Sequence, residues 1–329
     1  MQTEAILESV DIHTAGEPTR IITGGFQWQN HYGTAFEYQQ RFKEKFDWIR
    51  TLLMKEPRGH DDMFGAVPVP SSTGDIGVFF MDNSEYKDMC GHGTIGLVTA
   101  LVETGQLPTN EELKIETPAG LVTARPNMED GRVESVAVEN VDSYVYDSIT
   151  IEFDPVGTVN VDIIYAGNFF VLVDATDLEL EVNTDNTAKL VEYGMRIKQR
   201  VNTEMSIMNP VTGEPDKIKL AEIYHQNRGT DQNITIFGNG QVDRSPCGTG
   251  TCAKMALLHS EDKLDAGDTY PYQSIIGTEF TGRILDTTSQ GSKRIISPEI
   301  EGSAYLISKN TYFVDPSDPL DGFTLGVVG

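Results

Sequence analysis

The pattern Cys-Gly-x-Gly-Thr occurs twice in this 329-residue chain, at Cys90 and again at Cys247, and each copy runs into an apolar segment. Leu97, Val98, Ala100 and Leu101 follow the first copy; Ala253, Met255, Ala256, Leu257 and Leu258 follow the second. A glycine-rich turn opening into an apolar run is how a buried helix starts, so each cysteine is expected at a helix N-terminus. Unpaired backbone N–H groups and the helix dipole there favour anions and stabilise a thiolate. The copies stand 157 positions apart, about half the chain, which predicts two similar half-molecules meeting at a site with a thiol on either side. Two buried cysteines beside glycine-rich turns are the plainer alternative, but a repeated cysteine at a repeated helix start calls for a shared reason.

Two thiols suit the inversion of a carbon centre. One group must take a proton from one face and another must return a proton to the opposite face. A thiolate and a thiol can exchange those roles, so both directions run on the same pair, while the two helix ends hold a substrate carboxylate.

Composition narrows the partners. Fifty acidic residues against 25 basic give a net charge of −25, which argues against nucleic acid or an anionic membrane and favours a zwitterion over a polyphosphate. A salt-rich habitat is a weaker reading of the same charge. No stretch is long and apolar enough to span a bilayer, and the opening Met1-Gln2-Thr3-Glu4 lacks signal-peptide character. Three cysteines without CxxC or Cys/His zinc spacing indicate neither a disulfide framework nor a metal site, and free thiols fit a cytoplasmic location.

Along the chain, Ala5 to Ile12 reads as a strand, followed by a turn-rich loop from His13 to Arg20. Thr34-x-x-Glu37 is a capping box opening one amphipathic helix with Phe42, Phe46, Ile49 and Leu53 on a face, closed by Pro57. His60-Asp61-Asp62 points its side chains apart and is a poor metal set. A strand at Ile76–Met81 delivers the chain to Cys90, and the first motif helix ends near Gly105. Short strands follow at 114–117, 121–124 and 133–138; Val159 to Ile164 then restarts the pattern, with Ala166-Gly167 echoing Ala15-Gly16. A helix is expected from Thr187 to about Val201, strands at 217–224 and 233–237, and four more strands between Tyr270 and Ser308. Mixed strands around one apolar helix per half predict an α+β fold.

The segments Asp-Met-Cys-Gly-His-Gly-Thr-Ile-Gly (88–96) and Asp-Arg-Ser-Pro-Cys-Gly-Thr-Gly-Thr (243–251) resemble the two signature motifs of the proline racemase family, which includes hydroxyproline epimerases. Residues 13–20, 56–65 and 167–170 are similar to further family segments, in family order. The resemblance implies a diaminopimelate-epimerase-like α+β fold: two pseudo-symmetric halves, each a mixed or antiparallel sheet wrapped round a central helix, with the active site in the cleft. The expected halves are 1–131, to which 311–329 returns, and 132–310. No cofactor and no metal are implied, and a homodimer is expected. Cys90 and Cys247 would be the catalytic bases, His92 and Asp243 would bind the substrate amine, and the N–H groups of Gly91, His92, Gly248 and Thr249 would receive the carboxylate. The ring pocket would comprise Phe64, Leu220 and Phe237. Hydroxyproline epimerases tend to carry a polar group at the position of Leu220, so the implied substrate is proline, with 4-hydroxyproline 2-epimerisation as the alternative. The branch that dehydrates trans-3-hydroxyproline has threonine at the position of Cys90. Cys252 reads as a small core residue. A Cys/His hydrolase using His92, His13 or His60, or a non-catalytic amino-acid-binding protein, would leave the second thiol without a purpose.

Overall fold

The computed structural model describes residues 4–28, 30–31, 33–109, 111–210, 213–226, 229–291 and 293–324. The last five positions of the C-terminal segment expected to rejoin the first half therefore lie outside the described residues. The chain divides into two compact units, Met1–Val138 with Ser303–Gly329, and Glu139–Gly302.

The first unit opens with β1 (Ala5–Thr14) and β2 (Glu17–Gly24). The turn-rich loop expected from His13 to Arg20 narrows to a two-residue turn, with Thr14 paired to Glu17 across Ala15 (φ 49°) and Gly16 (φ 99°). Two left-handed residues twist the backbone in the sense that an antiparallel pair needs, so the strands continue to the turn itself. Two helices follow, α1 (Ala35–Lys45) and α2 (Asp47–Met54). The capping box forms as the sequence predicts, Thr34 and Glu37 exchanging bonds with each other's backbone. The single helix expected to run to Leu53 is broken at Phe46, which leaves helical geometry (φ −127°, ψ 13°) and joins an aromatic cluster with Phe26, Trp28 and Phe42. Side-chain packing there outweighs the continuity of one helix.

Next come β3 (Phe64–Val69), β4 (Ile76–Asp82), β5 (Tyr86–Lys87) and the first motif helix, α3 (Gly91–Glu103). β6 (Leu113–Thr117), β7 (Gly120–Glu129) and β8 (Arg132–Glu139) complete this stretch. β2 runs parallel to β3, β3 antiparallel to β4, β4 parallel to β6, and β6 antiparallel to β7. Every residue of α3 from Gly91 to Val102 is buried, and the helix packs on β1, β2, β3 and β7.

The second unit begins with β9 (Ser143–Phe153), a strand that the sequence reading passed over, then β10 (Gly157–Tyr165) and β11 (Phe169–Asp174). α4 (Thr187–Glu204) leads through the short pair β12 (Ile207–Met208) and β13 (Pro215–Asp216) to β14 (Leu220–His225), β15 (Asp231–Phe237) and β16 (Gln241–Asp243). The second motif helix is α5 (Gly248–Ser260), followed by β17 (Thr269–Ser274), β18 (Glu279–Gln290) and β19 (Lys293–Gly302). The ladders repeat the order of the first unit: β10 antiparallel to β11, β11 parallel to β14, β14 antiparallel to β15, β15 parallel to β17, β17 antiparallel to β18. β18 then pairs with β19, β19 with β9 through Ile295–Tyr144 and Ile296–Ser143, and β9 with β10, so this unit's sheet closes on itself. Closure removes the exposed edges that an open sheet presents. α5 is buried from Gly248 to His259 and packs on β9, β10, β11, β18 and β19.

The final strand, β20 (Ala304–Val314), pairs antiparallel with β1 and also contacts α3.

The period-two alternation of β14 and β15 fixes what faces the motif helix. Ala221, Ile223, Ile234 and Ile236 join the apolar core with Leu190, Tyr193, Ile197 and Val201 of α4. A full apolar side chain of this size contributes roughly 1.5–3 kcal/mol on burial. The intervening residues Glu222, Asn233 and Thr235 therefore point to the other face of the sheet, all at 0% exposure.

Candidate active site

Each motif cysteine is the N-cap of its helix. Cys90 (φ −151°, ψ 122°) accepts the Gly93 N–H on its sulfur at 3.4 Å, and Cys247 accepts the Gly250 N–H at the same distance. Sulfur thus takes the place that a serine or aspartate oxygen fills at an ordinary cap. Glycine at the third helical position is required by packing. A Cβ on Gly93 would stand 2.7 Å from the Phe80 ring, and one on Gly250 would stand 2.1 Å from Oε2 of Glu222. The two caps differ in backbone, because Cys247 sits at φ 61°, a left-handed angle that a side-chain-bearing residue rarely adopts.

In the first unit, Cys90 is half-buried. Nδ1 of His92 lies 3.2 Å from its sulfur, and which of the two holds the proton depends on the imidazole tautomer. The Phe64 ring stands edge-on to the His92 imidazole with centroids 4.7 Å apart. Thr14 ties β1 to this turn by donating its hydroxyl to the His92 carbonyl at 2.9 Å. Cys90, Gly91, His92 and Phe64 are therefore one cluster.

In the second unit, Asp243 ends β16 and its Oδ1 accepts both the Ser245 N–H and the Ser245 hydroxyl, at 2.8 and 2.7 Å. The Ser245 oxygen in turn accepts the Cys247 N–H at 3.1 Å. This relay fixes the approach to the strained cap. Thr249 brings its hydroxyl to 3.8 Å from the Cys247 sulfur. Leu220 and Phe237 flank the Ala221–Ile236 pair of the β14–β15 ladder; Leu220 is half-buried and Phe237 buried. Asp243, Cys247, Gly248 and Thr249 form the second cluster, with Leu220 and Phe237 on the adjoining strands.

Sequence reading missed two buried charged residues of the second unit, Glu222 and Lys254. Glu222 accepts the Tyr272 hydroxyl at 2.7 Å and the Thr235 hydroxyl at 3.3 Å. Burial pushes its carboxyl up to about 7, against the pull of Tyr272, Lys254 and Thr235. Lys254 is likewise at 0% exposure, its ammonium 3.2 Å over the Tyr224 ring. Burial draws it down to about 8, although Asp231, Glu222 and Glu261 favour its charge. The available signal was a lone charge in each of two apolar runs, Leu-Ala-Glu-Ile-Tyr and Cys-Ala-Lys-Met-Ala-Leu.

The Cys247 thiol is pushed well above its usual range by burial, then by Asp243 and Glu222; the Gly250 N–H and Thr249 hydroxyl pull the other way. The helix end alone, read from sequence, predicts the opposite net direction. Burial and two carboxyls outweigh it. Cys252 is fully buried, and burial raises its thiol to about 12, as befits a core residue.

The other sequence candidates lie in neither cluster. His13 accepts the Gly16 N–H at 3.2 Å and stacks on Tyr305, serving the first turn. His60 is exposed. Among the described residues no group of three or more His, Cys, Asp or Glu side chains is arranged to hold a metal, and no helix is long and apolar enough to cross a membrane. An open depression of about 440 Å³ in the second unit, lined by Asp162, Asp174, Asp177, Tyr224 and Glu261, contains none of the motif residues.

The proline racemase family model matches residues 9–324. The chain belongs to the proline racemase family, and it is an isomerase. It is 40% identical to a proline racemase of Clostridioides difficile, over 97% of this chain and 98% of that relative. It is also 36% identical to a trans-3-hydroxy-L-proline dehydratase of Bacillus cereus, over 99% of this chain and all of the relative. Among solved structures, a hydroxyproline epimerase from Agrobacterium vitis with bound trans-4-hydroxy-L-proline superposes with a TM-score of 0.89 at 27% identity, covering 99% of this chain and 97% of that one. A Bacillus anthracis protein of the PhzF family, at 17% identity and a TM-score of 0.59, shares the fold. The proline racemase and PhzF-like structures are sheet-rich α+β folds, as is this one. Membership establishes an amino-acid racemase or epimerase.

Proposed function

We propose that this chain is a cofactor-independent proline racemase that interconverts L- and D-proline, with Cys90 and Cys247 as its two bases. The observation that carries this reading is the matched capping: in each unit, a motif cysteine turns its sulfur onto the first turn of a helix buried over its first twelve residues. Such a position holds sulfur beside backbone N–H groups, where an anionic substrate group is also attracted.

In this mechanism one thiolate removes the α-proton and becomes a thiol, while the other thiol delivers its proton to the opposite face and becomes a thiolate. The proton count of the pair is unchanged and its roles are exchanged. Each sulfur takes the third N–H of its helix, and the two preceding N–H groups, of Gly91 and His92 and of Gly248 and Thr249, receive the carboxylate. His92 and Asp243 hold the secondary ammonium, whose retained positive charge acidifies the α-carbon. Phe64, Leu220 and Phe237 bound the ring. Cysteine at position 90 favours racemisation over dehydration of trans-3-hydroxyproline. The working form is a homodimer.

Substrate choice turns on Leu220. An apolar side chain there offers a 4-hydroxyl no partner, a penalty of roughly 1–3 kcal/mol that favours proline. The second reading, 4-hydroxyproline 2-epimerase, draws support from the ligand held by the Agrobacterium vitis relative.

The deciding experiment follows deuterium entry at the α-carbon in D2O by NMR and polarimetry, on L-proline and on trans-4-hydroxy-L-proline. Exchange with loss of rotation on proline is expected, along a bell-shaped pH profile. Cys90→Ser and Cys247→Ser are expected to abolish it, and Cys252→Ser to retain it. Exchange on hydroxyproline alone moves the assignment to the epimerase, and equal loss from all three cysteine variants refutes the two-base assignment.

A further inference from the structure

A buried polar row crosses the second unit directly behind Cys247. Glu222 of β14 pairs with Thr235 of β15, and Thr235 pairs with Asp243 of β16. The corresponding row of the first unit runs Ala66, Phe80, Lys87 through the β3–β4 and β4–β5 ladders, with no acid in it. Correspondingly, the Gly93 Cβ position in α3 meets the Phe80 ring, and that of Gly250 in α5 meets a carboxyl oxygen.

The site of a Gly250 Cβ lies 2.1 Å from Oε2 of Glu222 and 3.2 Å from the Cys247 sulfur, so oxygen and sulfur are within about 5.3 Å of one another. The carboxyl is held at both oxygens. Tyr272 of β17 donates to its Oε1 and Thr235 donates to its Oε2, and Oε2 fills the space that a Cβ on Gly250 would need. Gly250 is also the residue whose N–H is donated to the sulfur. Glu222 therefore stands behind the peptide that caps Cys247.

We propose that Glu222 is a positioning residue that sets the proton on Cys247, holding this sulfur as the thiol, the acid of the pair, whenever the carboxyl is ionised. The inference rests on the two-base reading above and deepens it by giving the two cysteines different resting roles. Cys90 faces the His92 imidazole, whereas Cys247 faces carboxyls. The charged and titratable groups around this corner are Glu222 on β14, Asp231 on β15, Asp243 on β16, Cys252 and Lys254 on α5, and Tyr270 and Tyr272 on β17. Lys254 is the one cation among them, and it favours the ionised form of Glu222. Since the carboxyl titrates at about 7, its charge is gained and lost across neutral pH. An anion within about 5 Å of a thiolate in a water-poor interior raises the thiol pKa by about one unit or more.

The test is the pH dependence of iodoacetamide alkylation in the full-length chain, resolved between Cys90, Cys247 and Cys252 by fragment-ion mass spectrometry. Glu222→Gln keeps the acceptor for Tyr272 and removes the charge. The expected result is a Cys247 profile displaced to lower pH by at least one unit, so that it alkylates about tenfold faster at pH 8, with Cys90 unmoved. Tyr272→Phe keeps the carboxyl but removes the hydroxyl that favours its ionised form; Cys247 is expected to alkylate faster at pH 7 here too, which guards against a Gln variant that does not fold. A Cys247 profile that stays in place in both variants overturns the proposal, as does an equal displacement of Cys90. Alkylation needs no substrate. An unmoved profile therefore removes the role of Glu222 whatever α-proton exchange gives, and absent exchange removes the racemase reading whatever alkylation gives.

Discussion

The Glu222 carboxyl also makes a prediction about stability. Unfolded, it has the ordinary value of 4.5; folded, at 0% exposure, burial lifts it to about 7. Between those values the folded chain holds a proton that the unfolded chain has released. A raised carboxyl of this kind contributes stability that is fully present below pH 4.5 and is lost as pH rises through 7. At 1.36 kcal/mol for each pH unit of difference, the loss is about 3 kcal/mol from this one side chain. Glu222→Gln has no proton to lose, so relative to the parent it gains about 3 kcal/mol between pH 4.5 and pH 8. Its absolute stability at low pH also carries the exchange of hydrogen bonds at Thr235, and only the pH dependence of the difference isolates the charge. Urea unfolding at pH 5, 6, 7 and 8 measures it. Far-UV circular dichroism is the right probe, because both tryptophans, Trp28 and Trp48, belong to the other unit. Difference curves that run flat across this range refute the buried-carboxyl argument.

Gly250→Ala sets a helix-propensity gain of about 1 kcal/mol against a Cβ placed 2.1 Å from a hydrogen-bonded carboxyl oxygen, an overpacking cost of about 1–3 kcal/mol; thermal unfolding is expected to fall by several degrees, with α-proton exchange lost more steeply than stability. An unchanged melting temperature would show that Glu222 yields easily. Arg20→Met is expected to cost about 3–5 kcal/mol, read as a drop in urea midpoint, because the buried guanidinium bonds both Asp11 oxygens and the Leu53 and Arg58 carbonyls, and its loss strands a half-buried Asp11.

Local chemistry made much of this protein readable in advance. The duplicated Cys-Gly-x-Gly-Thr places a cysteine cap before each buried helix because glycine-rich turns and apolar runs leave the backbone few choices. Thr34 and Glu37 form their capping box from a spacing of three, and Gly105 (φ 72°) ends the first motif helix where a left-handed residue is needed. Phe46 was not readable, because an aromatic residue within a helical pattern does not announce that Phe26 and Trp28 will draw it out of the helix. Nor was β9 or the closure it completes, since Tyr144 and Ile295 lie far apart in the chain and only pairing brings them together.

The sequence by itself therefore determined which atoms sit at the helix ends: two sulfurs, one at the N-terminus of each buried helix. Tertiary structure decided what surrounds them. Strand register brings Glu222, 25 positions upstream of Cys247, to the back of Gly250, and burial there turns an ordinary carboxyl into one that titrates near neutrality. A helix dipole is a local property and can be read from a motif; the desolvation and field of a neighbouring strand are not, because they depend on residues that meet only when the sheet has formed.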